Sequence, residues 1–575
     1  MTNVSGTSSS NYFKTLRPWL ILTATLLVYL FNVERWHPTA FFGRMHDDSI
    51  YFITAKALAE GQGYVLINFP GTPPQTKYPI LYPWLLSWVW RVNPHFPDNL
   101  AAGIRLTEFF GCWSLVAGFL LLRKLPSIGE SAALMLTAIC AFQPIFLRLS
   151  GTIMSDVPFM ALVLTALVLA DSATHTDSST LNVVAAGVAS ALSMGMRTIG
   201  VTVVAGIFLA ALRRRAYRQA FLFGAVATFV VALEFWPMMI HRAVSPDLGG
   251  RNPLEPGWNQ VLAYYTNYFN YAWRMGVPTV SAFLSMVKLN FLLLVSSPGY
   301  TVAGPTSKWV SAFTAVLSVP IILGISRQKR YPYWVPIFYV LFCYCVVLLI
   351  WPCPQPERFL LPFLPLLFAG LWLEMGRLGK ILSVNLRGQM PTAQRVAAAG
   401  IAAALLSLFV FIGWKYLVGD PRSLTLAAES RQNALEERKQ AYGWIRDHTN
   451  PDVRIASYND GVLYLYTGRQ GMRPLMSLPT VGYLSDEKIL ARDIAHVTDA
   501  AQHVGARYWI TTSDDFDLEV GRELINARIA QIMSGLPLVF TSRENSVQIH
   551  DASCLFEIQR SECQAAQSIL VQSKN

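Results

Sequence analysis

Two acidic residues stand side by side in Met45-His46-Asp47-Asp48-Ser49-Ile50-Tyr51, and a third, Asp156, stands in Ser155-Asp156-Val157-Pro158-Phe159. The first 415 residues hold only fifteen acids. An acid among apolar segments is costly and ordinarily serves a cavity or an ion pair. Asp48 also fits the N-cap of a helix starting at Ser49, and Asp156 the N-cap ahead of Pro158; Asp47 has no such local use. Opposite these acids are scattered bases: Lys77 in Thr76-Lys77-Tyr78-Pro79-Ile80-Leu81-Tyr82-Pro83, Arg197 in Met196-Arg197-Thr198, His241 and Arg242, Arg251, Arg274, and Arg358 after Glu357. Lys point charges and Arg forks are the usual means of holding a phosphate, so as a set they suit an anionic lipid headgroup. Taken singly, each is better served by interfacial snorkelling or by pairing with a neighbour, as Glu357 with Arg358, and the set says more than any member. His46, Asp47 and Asp156 are the candidates for a divalent cation, against a structural role for an isolated interfacial His.

The elements that position these residues follow from composition. Of 575 residues 53% are hydrophobic and 14% charged, with mean hydropathy +0.36. A soluble chain carries nearer a quarter charged residues, so the apolar excess must face lipid. The net +11 is uneven: through Lys415 there are 30 basic and 15 acidic residues, a net +15, and after it 16 and 20, a net −4. That distribution argues against a nucleic-acid binder and for a basic membrane body with an ordinary soluble tail.

Apolar runs long enough to cross a bilayer fall near 17–33, 101–122, 130–147, 157–171, 180–196, 198–212, 219–240, 308–326, 333–351, 359–376 and 396–415, about eleven transmembrane helices in a polytopic α-helical protein. Lys14 and Arg17, Arg123 and Lys124, Arg213 to Arg215, Arg327 to Arg330, and Arg377 to Arg395 occupy alternate connections. The positive-inside rule then places the N-terminus in the cytoplasm and the tail outside. The first run lacks a small-residue cleavage site and reads as a retained span. The chain divides into a disordered cytoplasmic segment 1–14, a transmembrane body 15–415 with external segments 34–100 and 241–307, and an external domain 416–575.

The stretch 81–90, apolar and Trp-rich after prolines, suits the membrane interface, as does the aromatic run Tyr264 to Arg274. In the tail, helical patterns at 423–448, 486–504 and 515–534 alternate with strand-like 453–458, 507–512, 538–540 and 547–549, which predicts a small soluble α/β domain with a partly parallel sheet. Asp514, Asp515 and Asp517 read as a solvated helix start, and no catalytic constellation is visible in the tail. Cys554 and Cys563 are positioned for a disulfide in an oxidising compartment. There is no P-loop, GxGxxG after a strand, GxSxG or HExxH.

Taken in order, a first span, an outer acidic pair before Tyr and a helix, Gly61-x-Gly63-Tyr64, Lys77-x-Pro79-x-x-Tyr82-Pro83, a later outer Asp156, Arg197 between short spans, and Glu357-Arg358-Phe359-Leu360-Leu361-Pro362 resemble the glycosyltransferase C-superfamily. The likeness points to its branch of protein O-mannosyltransferases and lipid A aminoarabinose transferase. The pair here is Asp-Asp where that family usually has Asp-Glu. The resemblance implies an inverting transfer of a sugar, hexosyl or pentosyl, from a polyprenyl-phosphate donor to a hydroxyl of a lipid, glycan or protein acceptor on the outer face of a bacterial inner membrane. It implies Asp47 as the general base, supported by Asp48; Asp156 as a second cavity acid; Lys77, with Tyr78 and Tyr82 of its motif, on the donor phosphate; and Arg358, Arg197 and Arg242 as phosphate or sugar contacts. The alternative is a transporter or flippase of a lipid-linked anion, which would favour charges near the midplane and repeated halves.

Overall fold

The computed structural model describes residues 8–36, 38–242, 255–304, 314–353, 355–387, 413–484 and 486–555, with a few helical residues between 400 and 411. The amino-terminal half runs through α1 (Ser8–Glu34), α2 (Asp47–Ala59), α3 (Leu81–Val92), α4 (Leu100–Lys124), α5 (Glu130–Ala141), α6 (Pro144–Ser150), α7 (Asp156–Ala173), α8 (Thr180–Met196), α9 (Val201–Arg213) and α10 (Tyr217–Arg242). It continues through α11 (Trp258–Thr266), α12 (Val280–Ala303), α13 (Ser318–Ser326), α14 (Trp334–Ile350) and α15 (Leu364–Arg387).

Among the described residues six helices are long and apolar enough to cross a membrane: Leu16–Glu34, Leu100–Lys124, Asp156–Ala173, Tyr217–Trp236, Val280–Ala303 and Leu361–Lys380. The chain is thus built as a multi-pass membrane protein, and five of the eleven expected runs are among these six helices. Three differences have clear causes. The run 130–147 is α5 and α6, bent by 62°. Pro144 cannot extend the preceding helix, and the Gln143 side chain caps the new one at Phe146 N, 2.6 Å away, while donating to Thr301 O at 2.7 Å. The runs at 180–196, 198–212 and 333–351 are apolar helices shorter than a full span. The third difference is α12, 24 residues long, inside the segment 241–307 that the sequence reading left as an external connection. Its Lys288, Asn290 and Ser296-Ser297-Pro298-Gly299 interrupt an otherwise apolar stretch. Most of the run 396–415 lies outside the described residues.

At the centre of the bundle is α7, apolar on all sides from Val157 to Ala170 and packed between α4 and α8. A helix hydrophobic all round belongs inside, and its small residues Ala161, Ala166 and Ala170, all fully buried, admit close neighbours. This burial holds Asp156, at its first turn, at a fixed place. Above it α2 lies against α3. Trp84 and Trp88 of α3 are exposed while Tyr82, Leu86 and Trp90 are buried, the two-faced pattern expected of an interfacial helix.

The tail begins with α16 (Asp420–His448) and contains a five-stranded sheet of order β2-β1-β3-β5-β4, with β1 (Ile455–Ser457), β2 (Gly471–Met472), β3 (Tyr508–Thr512), β4 (Leu538–Thr541) and β5 (Val547–Asp551). β1 pairs parallel with β2 and β3, and β5 pairs antiparallel with β3 and β4, so the sheet is partly parallel as expected. The apolar stretch 463–466 belongs to α17 (Asp460–Thr467). This helix seats the tail on the first loop. Added side-chain atoms at Gly461 and Gly43 would come within 2.4 Å of Ser49 Oγ and Val462 Cγ2, so both glycines are required by close approach. A backbone bond from Gly471 N to Asn68 O (2.9 Å) and a side-chain bond from Gln470 Nε2 to Ile67 O (3.2 Å) complete the seam. The Asp514 cluster is salt-bridged: Asp514 takes Arg431 at 2.7 Å and also Arg438, and the buried Asp515 accepts from Thr512 N at 2.9 Å. The side chain of Cys554 and all of Cys563 lie outside the described residues, and Cys112, Cys140, Cys343, Cys345 and Cys353 are unpaired.

Candidate active site

Asp47 opens α2, and Lys77 and Tyr78 come from the loop before α3. The loop folds back so that Lys77 Nζ donates to Asp47 Oδ1 at 3.0 Å and the Tyr78 hydroxyl donates to the same oxygen. Lys77 Nζ also donates to the Tyr264 hydroxyl at 2.6 Å and lies over the rings of Tyr78, Tyr264 and Tyr268, at 4.9, 4.3 and 5.0 Å from their centroids. An ammonium inside an aromatic cage gains from each ring face. Burial would raise the Asp47 carboxyl, but Lys77 and then Arg358 outweigh it and hold the group well below the usual carboxylate range. Burial likewise works against the Lys77 ammonium, and Asp47 and Tyr264 overcome it, so Lys77 is held protonated.

The second half of the site comes from three other elements. Asp156 Oδ1 and Oδ2 accept from Arg358 Nε and Nη2, both at 2.7 Å, a bidentate fork, while Arg197 Nη1 lies 2.6 Å from Oδ1. All three side chains are largely buried, Asp156 at 3% exposure. Arg358 also reaches Gln355 Oε1 at 3.3 Å, and the Arg197 guanidinium stacks over Phe359 at 5.2 Å. Arg358 holds Asp156 because the fork of a guanidinium matches one carboxylate in two bonds; the expected pairing with Glu357 falls on a side chain outside the described residues. Tyr51 links the halves: its hydroxyl meets Ser155 Oγ at 2.8 Å and its ring lies 4.4 Å from that of Tyr78.

Asp48 faces away from this chemistry. Its carboxylate accepts from Gly43 N at 2.9 Å and Ser49 N at 2.7 Å, tying down the turn before α2, and His46, at φ 56°, precedes the helix in the N-cap position expected for Asp48. Burial pushes the Asp48 carboxyl up to about 7 against those two amides. Tyr82 lies one layer below, its hydroxyl on Thr107 Oγ1 at 2.6 Å and its ring 5.3 Å from Tyr51. Arg274 is exposed. The side chains of His241, Arg242 and Glu357, and all of Arg251, lie outside the described residues.

Among the described residues no group of three His, Cys, Asp or Glu is placed to hold a metal ion. His46 points Nδ1 at the Tyr264 hydroxyl (3.2 Å) and Nε2 at Asp460 (2.9 Å), and Asp156 is taken by two guanidinium groups, so the suggested cation ligands do not converge.

Sequence reasoning missed part of the site. Tyr264 and Tyr268 stand out in the sequence as an interfacial aromatic run, with sugar stacking or a polyprenyl groove as the alternative, and not as a cage for Lys77; Asp460, from the tail, has no local signal. A narrow cleft with a cavity volume of about 10 Å³, lined by Asn290, Leu293, Leu294, Leu348, Trp351, Cys353, Gln355 and Phe359, borders the cationic end, joined to it through Phe359 and through the Tyr268 hydroxyl, 3.5 Å from Cys353 Sγ. The arrangement offers an ionised carboxylate beside a caged ammonium, two guanidinium groups on a second carboxylate, and a narrow cleft alongside.

No family model matches the sequence, and no curated protein does. Among solved structures the chain is similar to ArnT from Cupriavidus metallidurans bound to undecaprenyl phosphate, at 14% identity and TM-score 0.52 over 92% of this chain and 97% of that one. It is also similar to the archaeal oligosaccharyltransferase AglB from Archaeoglobus fulgidus in complex with an inhibitory peptide and a dolichol-phosphate, at 12% identity and TM-score 0.51 over 93% of this chain and 74% of that one. At such identities the likeness is one of fold: the chain shares the fold of these two proteins.

Proposed function

We propose that the protein is an integral-membrane inverting glycosyltransferase that moves a sugar from a polyprenyl-phosphate donor to a hydroxyl of a lipid, glycan or protein acceptor on the outer side of a bacterial inner membrane. The observation that carries this reading is the pairing of Asp47 with Lys77 at 3.0 Å beside the Asp156–Arg197–Arg358 cluster. Inverting displacement at an anomeric carbon needs a base on the acceptor side and cations on the leaving phosphate. Asp47, kept ionised, takes the acceptor proton; Lys77 and Arg358 stabilise the leaving phosphate; and Asp156 fixes the two guanidinium groups. The fold shared with ArnT bound to undecaprenyl phosphate and with AglB bound to a dolichol-phosphate supports this donor class. The alternate basic connections support an outer-facing site.

The test is purified protein in lipid nanodiscs given radiolabelled polyprenyl-phosphate sugars and a membrane extract as acceptor. Label passing to a new product supports the reading. Movement of intact donor across the bilayer of sealed proteoliposomes holding the same protein, without transfer, would favour a flippase instead.

A further inference from the structure

Asp460 is the first residue of α17, in the tail, and is fully buried. It receives three bonds from the membrane body: His46 Nε2 at 2.9 Å, Asn68 Nδ2 at 2.7 Å and the Tyr265 hydroxyl at 2.9 Å. A carboxylate only accepts, so the proton of His46 is on Nε2 and Nδ1 is left as an acceptor. The Tyr264 hydroxyl, 3.2 Å from Nδ1, therefore donates to His46, and its lone pairs are free for Lys77 Nζ at 2.6 Å. Every bond on the path Lys77 to Tyr264 to His46 to Asp460 runs in the same direction. The opposite tautomer would put a proton on Nδ1 and turn the Tyr264 hydroxyl proton toward an ammonium, which repels it.

We infer that Asp460 is a positioning residue for the transfer reaction, its charge fixing the His46 tautomer and, through Tyr264, the place of the Lys77 ammonium beside Asp47. The tail is then part of the site: docking of α17 completes it. This inference deepens the proposed reading and rests on it for the role of Lys77, whereas the tautomer itself does not.

Two measurements on the full-length protein test it. The first is affinity for undecaprenyl phosphate in wild type, Asp460→Asn, Tyr264→Phe and the double variant. Asp460→Asn and Tyr264→Phe should each weaken binding by about tenfold, the scale of one charge-assisted hydrogen bond. The double variant should be no weaker than Tyr264→Phe alone, because the first change acts through the second. Tyr265→Phe, which removes a bond to Asp460 off the path, should stay within about twofold. Additive losses, or an unchanged Asp460→Asn, would overturn the inference; if Asp460→Asn does not fold, His46→Gln takes its place in the cycle with the same expectation. The second measurement is the ¹⁵N spectrum of histidine-labelled wild type, with His46 assigned by His46→Gln. An unprotonated Nδ1 is expected, and a protonated Nδ1 contradicts the inference. Wild type that shows this tautomer but does not bind undecaprenyl phosphate would defeat the donor reading and leave the hydrogen-bond path standing.

Discussion

Lys77 and Asp47, thirty residues apart, form a 3.0 Å ion pair in which the lysine is 14% exposed and the aspartate 20%. The pair keeps Asp47 ionised in the resting site. A carboxylate so held is ready to accept a proton at any ordinary pH, though it becomes a stronger base only when Lys77 shifts its charge onto a donor phosphate.

Removing Lys77 should therefore change the pH profile as well as the rate. With the ammonium gone, burial is the largest influence left on Asp47 and raises its carboxyl. Wild type should show no acid limb from Asp47 down to about pH 5. Lys77→Ala should shift the acid limb toward higher pH, along with a raised KM for donor. A pH–rate series on both proteins decides this, and coincident acid limbs would refute the coupling.

Breaking the Asp156 cluster should cost stability as well as activity. Asp156→Ala leaves two buried guanidinium groups without their carboxylate, a loss of about 3–5 kcal/mol. Arg358→Lys keeps the charge but loses the two-bond fork, so it should retain most of the stability and lose transfer by about 10- to 100-fold. Thermal unfolding and initial rates on the two variants should separate in this way.

Asp48 should prove a structural acid. Its carboxyl, at about 7, is raised over the unfolded value, so the folded state binds the extra proton and this contribution is fully present near pH 4 and lost as pH rises through 7. Asp48→Asn removes the term. Its melting temperature relative to wild type should rise steadily from pH 4 to pH 8, with transfer activity reduced far less than by any change at Asp47.

Gly461 tests the seam between tail and membrane body. A side chain there would meet Ser49 Oγ at 2.4 Å, and the next residue along, Asp460, holds His46. Gly461→Val should loosen α17 from α2 and weaken activity. Limited proteolysis between residues 449 and 475 should quicken at the same time. Unchanged cleavage and activity would mean that the close approach is dispensable.

The membrane body and the principal charged residues were legible in the sequence for a physical reason. Acids and bases are so rare among apolar runs that Asp47, Lys77, Asp156 and Arg358 stand out, and the topology places them together at helix ends. Residues that look ordinary in their own segments did not stand out. Asp460 lies 414 residues from His46 and 392 from Asn68, so no local pattern reports its partners. Asp48 had the right type and place for chemistry, and only the direction of its carboxylate toward Gly43 separates it from Asp47. The helix α12 was legible by composition, since Lys288 is the one charge in its 24 residues, and Asn290 is held by Leu349 O and Trp351 O at 3.1 and 2.8 Å.

The central claim is that Asp47 removes the acceptor proton during sugar transfer. Its most direct test compares wild type with Asp47→Asn for radiolabelled sugar transfer from a polyprenyl-phosphate donor in nanodiscs, with undecaprenyl phosphate binding measured on the same preparations. Turnover should fall by about 10²- to 10⁴-fold with binding retained; a folded Asp47→Asn protein that transfers sugar at the wild-type rate would show that Asp47 is not the base.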